Sequence, residues 1–415
     1  MSVVPLDANK ARLSLGAASS LGHSAKTKAD TLAAARASSK KVRFRLQEGG
    51  RRLVPHERVA TCLRWIRRGE TAVEILHSAS EGQAHYSRLE VCGSVWLCAV
   101  CAAKVAEERR KELRQAVEHC AGNGGGVLHL TFTVRHNRGH DLAGLVESFT
   151  KAYSRMVGHS AYRKQIKDTY QVMGAVRSLE VTHGINGWHP HHHVLMFVGR
   201  PLSDDEMRRL ERDIYALWER AAAREKLSMN RAGLTVQGAR AAAGYIAKWG
   251  AEEELTKSHL KSGRGGSRSP WDLLGDYLDG DDQAGALWRD YAAVFKGRRQ
   301  LVWSAGLRAL LGLEDETSDA AAAAALPNDA KHLGWVAFDD WLLVLRWQLR
   351  GDLLNLAAAG DWAIVADFLA GLRARYRADR RARGLEPPAS LAPPRSPEQI
   401  PLSWSVGSFS AELYG

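Results

Sequence analysis

The chain has 415 residues, 45% of them hydrophobic, enough for two or three domains of roughly 100–200 residues with a sizeable core. Its formal net charge of +12 points to a polyanionic partner, because Lys and Arg gain affinity by releasing counterions from nucleic-acid phosphates; an anionic membrane surface is the other candidate. No apolar run of about 18 residues is available to span a bilayer and the N-terminus lacks an apolar secretory core, so a cytoplasmic protein with no membrane partner is expected. Five cysteines, Cys62, Cys92, Cys98, Cys101 and Cys120, are poor arithmetic for a disulfide framework and suit four metal ligands plus one spare.

Residues 1–50 are rich in Ala, Ser, Lys and Arg without a sustained period, which predicts a disordered basic leader with Lys40 to Arg45 (KKVRFR) as a basic arm. Order is expected from near Leu53, with residues 51–121 forming a cysteine-rich, zinc-binding element closed by a helix. In that helix Val105, Leu113, Val117 and Cys120 recur near helical spacing, making Cys120 a buried thiol. The glycines of GNGGG end it at Gly122 to Gly126. VLHLTFTVRH then alternates, with Leu128, Leu130, Phe132 and Val134 on one face and His129, Thr131, Thr133 and Arg135 on the other.

A helical stretch from about Asp141 to Lys167 is followed by strands Val176 to His183 and His191 to Val198, joined by a loop containing Asn186-Gly187. Ser203-Asp-Asp-Glu206 is a capping box, with Met207, Leu210, Ile214, Leu217 and Ala221 at helical spacing behind it. A short strand, Leu234 to Gln237, leads into an alanine-rich helix carrying Tyr245 and Lys248 one turn apart. This order predicts an α+β fold, a central antiparallel sheet flanked by helices over residues 122–313 with a basic C-terminal extension, and not a βαβ repeat. KSHLKSGRGGSRSP reads as a basic loop. Residues 314–330 read as an acidic, alanine-rich linker. Residues 331–383 read as a small helical domain built on Trp341, Leu345, Leu353, Leu356, Phe368 and Leu372, and 384–415 as a Pro-rich tail.

Three constellations carry chemistry. Alternation along a strand sends His189, His191 and His193 to one face and His192 to the other, and Pro190 sets the start of the regular strand at or after itself. A hairpin folded about Asn186-Gly187 puts Glu180 opposite His193. Two histidines and a carboxylate with open positions suit Mg or Mn more than a closed zinc site; a polar surface face is the plainer alternative. Tyr245 is a candidate nucleophile, with Lys248 placed to favour a phenolate or hold a phosphate oxygen, although a Tyr on such a helix is commonly a packing residue. Cys62, Cys92, Cys98 and Cys101 fit a tetrahedral structural zinc, against buried free thiols, with His56, His77 or His85 able to replace one cysteine. Lys257, Lys261, Arg264, Arg268, Arg298 and Arg299 are candidate DNA contacts.

Taken in order, the cysteine element ending in CAVC, LHLTFTVRH, RSLEVTHGINGWHPHHHVLMF and YIAK resemble the rolling-circle replication initiators of bacterial plasmids. Those proteins belong to the superfamily named for its histidine-hydrophobic-histidine metal motif. The resemblance covers roughly residues 62–313, including SRSPWDLL and KGRRQLVWSAGLR. It implies that Glu180, His191 and His193 bind the divalent ion and that Tyr245 attacks the scissile phosphate of a single-stranded or extruded origin site. The products would be a 5′-phosphotyrosine and a free 3′-hydroxyl primer, with Lys248 assisting and a host helicase and polymerase as partners. His192 departs from the usual hydrophobic middle residue, and Ala241 stands where some relatives carry a glutamate used at termination. The same motifs would serve a single-strand transposase. A non-catalytic zinc-containing DNA-binding regulator would instead leave the histidines and Tyr245 far apart, and a zinc metallohydrolase lacks a recognisable base.

Overall fold

A computed structural model describes residues 28–248 and 266–386. From Lys28 onward the expected basic leader is a single helix, α1 (Lys28–Leu53). Alanines favour it intrinsically, and burial of one face supplies the rest. Phe44, Leu46 and Leu53 are buried, and Phe44 lies edge-on to Tyr86 at 6.4 Å with the Arg350 guanidinium 4.7 Å from its ring. The supposed basic arm is the middle of this helix, where Lys41 pairs with Asp352 and Arg45 with Asp279.

A hairpin of β1 (Ala72–Ser78) and β2 (Gln83–Ser87) precedes α2 (Ala99–Gly122), which buries Val105, Leu113 and Cys120. The central sheet follows: β3 (Gly126–Thr133), β4 (Val172–Gly184), β5 (Gly187–Val198), β6 (Leu234–Gln237) and β7 (Leu301–Trp303), in the order β6-β3-β5-β4-β7. Every neighbouring pair is antiparallel, as an α+β fold requires. On one face lie α3 (Leu142–Gly158) and α4 (Asp204–Arg224), whose Phe149, Ile214 and Trp218 meet Phe132, Val194 and Met196 in the main core. The capping box of Ser203 and Glu206 is present at the start of α4. On the other face α2 and α5 (Ala239–Lys248) set Leu113, Ala116, Ala242 and Ile246 against Val127, Leu195 and Phe197. Helices α6 (Pro270–Leu278) and α7 (Asp282–Phe295) join the main core through Leu273, Trp288 and Phe295.

The β4–β5 register differs from the expected one. Gly184 pairs with Gly187, so the two turn residues are Ile185 and Asn186, and Glu180 lies opposite His191 rather than His193. Gly187 adopts φ +87°, a conformation that costs a glycine little and lets the turn close one residue earlier. A register change of two residues preserves the face, so Glu180 stays on the histidine side. Strand β5 also runs through Pro190, which pairs with Val181. The β3 ladder ends at His191, so Pro190 has a strand neighbour on one side only and its missing N–H is tolerated.

The segment 314–330 is docked rather than a free linker. Its helix α8 (Asp319–Ala324) buries Ala322 and Ala323, Arg109 bonds Asp319 and the Thr317 carbonyl, and Lys104 donates to the carbonyls of Ala323 and Ala325. Nor is 331–383 a separate helical domain. It opens with β8 (Lys331–Ala337), which completes a β2-β1-β8 sheet, before α9 (Phe338–Arg346), α10 (Arg350–Ala357) and α11 (Trp362–Ala382). Its core of Trp341, Leu345, Leu353 and Leu372 is shared with Val73, Ile75, Tyr86 and Phe44, while Phe368 is only partly buried. Residues 387–415, the greater share of the Pro-rich tail, and residues 1–27 lie outside the described residues. Among the described residues no helix is long and apolar enough to cross a membrane.

Candidate active site

The sheet register builds the site in two adjacent rows. Glu180 and His191 face each other across β4 and β5; in the next row His193 stands between Ser178 of β4 and Thr131 of β3. The Glu180 Oε2 atom is 3.4 Å from Nε2 of His191 and 3.4 Å from Nε2 of His193. The three donor atoms all lie within 4.8 Å of one another. Metal–ligand bonds of about 2.1 Å put neighbouring donors about 3.0–3.4 Å apart, so the set fits a divalent cation.

Helix α5 brings the tyrosine. Ala242 and Ile246 bury its inner side, which leaves Tyr245 half-buried over the same face of the sheet. The Tyr245 hydroxyl lies 2.7 Å from Ser178 Oγ and donates to Glu180 Oε1 at 3.2 Å. Its ring stacks on His129 at 4.7 Å and meets His193 at 4.8 Å.

Electrostatics keep the carboxylate ionised. Crowding by protein atoms works against the charge of Glu180, but hydrogen bonds from His191 and His193 outweigh it and hold the group well below the usual carboxylate range. His191 Nδ1 donates to the His189 carbonyl at 3.2 Å, and its Nε2 faces the carboxylate. His193 Nδ1 lies 3.1 Å from His129 Nε2 and 3.2 Å from Thr131 Oγ1.

His192 points through the sheet to the opposite side and does not compete for a cation. It is buried against Phe149, its Nδ1 donates to the Ser178 carbonyl at 3.0 Å, and burial together with Arg177 keeps it neutral. His189 stacks on His136 at 4.5 Å and is held down to about 4 by burial, then by His191 and His136. Motif reading missed His129, Thr131 and Ser178; the alternation of β3 did place His129 and Thr131 on one polar face.

The remaining predicted contacts divide. Lys248 ends α5, its side chain outside the described residues, as are Lys257, Lys261 and Arg264. Arg268 pairs with Asp276 and Asp281 at 3.1 and 3.3 Å. Arg298 donates to the Val294 carbonyl, and Arg299 is exposed.

A second cluster holds the four expected cysteines. The sulfurs of Cys62 and Cys101 are 3.5 Å apart, Cys92 and Cys101 3.6 Å, and Cys98 and Cys62 3.8 Å, with all four buried. Zn–S bonds of about 2.3 Å give tetrahedral edges of about 3.8 Å, which matches. Four sulfurs complete the set without a histidine: His56 is not among them, His77 meets the Ala358 carbonyl and His85 faces Glu81. Gln47 donates to Cys98 Sγ at 3.1 Å and accepts from Arg350 at 2.7 Å, a buried relay from the sulfur cluster to α10. Burial opposes a thiolate at Cys98, yet hydrogen bonds from Cys101, Cys62 and Cys92 hold it well below the usual thiol range. Cys62 is pushed up, first by its bond to Cys101. Such a cluster carries several thiolates only around a cation.

Known proteins resemble this chain. "Protein rep" of Streptomyces lividans is 31% identical, the match covering 55% of this chain and 65% of that protein. "Neomycin resistance protein" of Streptomyces cyanogenus is 30% identical over 26% of this chain and 30% of that protein. The chain therefore spans less than two thirds of the length of these curated relatives. No solved structure matches. A family model described as "Replication protein" matches residues 86–338, well over half of the chain and a span that contains Glu180, His191, His193 and Tyr245. The chain belongs to this replication protein family.

Proposed function

We propose that the chain is a plasmid rolling-circle initiator that nicks and rejoins DNA at an origin, with Tyr245 as nucleophile. The observation that carries this is one carboxylate shared by both halves of the site: Glu180 Oε1 is 3.2 Å from the Tyr245 hydroxyl while Oε2 is 3.4 Å from each imidazole. A non-catalytic regulator would have no need of that proximity.

In the reaction the Tyr245 oxygen attacks the scissile phosphorus and the bond from phosphorus to the 3′ oxygen breaks. The phenol proton departs along the hydrogen bonds to Glu180 or Ser178, and the 3′ oxygen takes up a proton to become a free hydroxyl. One phosphodiester is exchanged for another, so reversal rejoins the strand without ATP. A Mg or Mn ion held by Glu180, His191 and His193 would supply charge stabilisation at the phosphate oxygens. The four cysteines hold a structural zinc, and Lys248, Lys257, Lys261 and Arg264 contact phosphates. A host helicase and polymerase would use the 3′ end.

The test is incubation with origin-derived single strands and Mn or Mg, followed by denaturing electrophoresis. Wild type forms a covalent adduct, Tyr245→Phe forms none, and His191→Ala still binds the strand but does not react. An adduct in Tyr245→Phe would overturn the assignment.

A further inference from the structure

His129 lies in the LHLTFTVRH strand without an assigned role, yet it touches both halves of the site. It is buried on β3, with its ring stacked on Tyr245 at 4.7 Å and 19°. Its Nε2 lies 3.1 Å from Nδ1 of His193.

Each contact has a consequence. A histidine offers its Nε2 lone pair to a cation only as the Nδ1–H tautomer, and metal-binding histidines have that N–H held by a neighbour. His129 Nε2, 3.1 Å from Nδ1, and Thr131 Oγ1 at 3.2 Å are placed to accept from that N–H and so to favour this form of His193 when a cation is bound. The flat face of the same ring limits where Tyr245 can swing, while Ser178 Oγ at 2.7 Å holds the hydroxyl end.

We propose that His129 is a positioning residue that couples the cation site to the nucleophile: its ring nitrogen sets the tautomer of His193 and its ring face orients Tyr245. This rests on the nicking mechanism above, and the two contacts are separable by substitution. His129→Phe keeps a ring face and removes the acceptor. His129→Gln keeps an acceptor oxygen near the Nε2 position and removes the face.

The measurements are Mn affinity by calorimetry on DNA-free protein and the adduct rate at saturating Mn. His129→Phe should weaken Mn binding about 10–100-fold, with an adduct rate at saturating Mn close to wild type. His129→Gln should bind Mn nearly as wild type and lose up to about 100-fold in adduct rate, the cost of a misplaced reacting group. Equal losses in both parameters for both variants, or no loss in either, would overturn the proposal. Selective histidine ¹⁵N spectra of Mg-loaded wild type need no substitution: His193 protonated at Nδ1 agrees, and protonation at Nε2 contradicts. The Mn and tautomer readouts hold without any DNA reaction, so a wild type that forms no adduct would reject the nicking mechanism and leave the His193 contact separately judged.

Discussion

At the scale of single residues, Glu180 carries the site because its two oxygens face different partners, the imidazoles on one side and the phenol on the other. That role was partly legible: alternation put Glu180, His191 and His193 on one face, and only the pairing was wrong. Register depends on which residues make the turn, and a glycine at positive φ shifted it by two. Ser178 and His129 were not legible as site residues, since a serine or histidine on a strand has no signature until the neighbouring strand and α5 are in place. A pH prediction also belongs here. His85 on β2 is held down to about 4 by burial, then by the charges of Lys104, Lys40 and His77, against an ordinary 6.5. Between those values the unfolded chain binds a proton that the folded chain refuses, so stability falls as pH drops from 6.5 toward 4. Over the full window the loss is of order 3 kcal/mol. His85→Gln should therefore flatten the pH dependence of the urea midpoint across this window; an unchanged slope would rule the account out.

At the scale of elements, those with self-contained patterns matched their expectations: the capping box of α4, the helix after Cys101, and the strand Leu234–Gln237. Elements whose stability comes from distant partners did not. Helix α1 looked like a leader because its composition is disorder-like and its large apolar residues are few; β8 needed β1 to be a strand at all. The cysteine element ties these together through the relay from Cys98 by Gln47 to Arg350 on α10. Zinc bound here would fix Cys98, and with it the hydrogen bond that Gln47 makes. Wild type should accordingly hold one equivalent of zinc that Cys98→Ser loses. Chelation should speed hydrogen exchange in α1 and α10 before the central sheet. Exchange that quickens first in the central sheet would show that the cluster does not fasten these helices.

At the scale of the whole molecule, sequence-distant segments share one core: α1, the β1–β2 hairpin and residues 331–383 meet around Phe44, Tyr86 and Trp341. The central sheet, by contrast, is built from consecutive strands and was largely readable in order. The net charge of +12 suits a nucleic-acid partner. The central claim is that Tyr245 becomes linked to the 5′ side of a cleaved strand. Its most direct test is to isolate the covalent product from an origin strand labelled at either end, digest it, and sequence the DNA-bearing peptide by mass spectrometry. The account predicts retention of the 3′ label and a phosphodiester on Tyr245; retention of the 5′ label, or attachment at another residue, would contradict it.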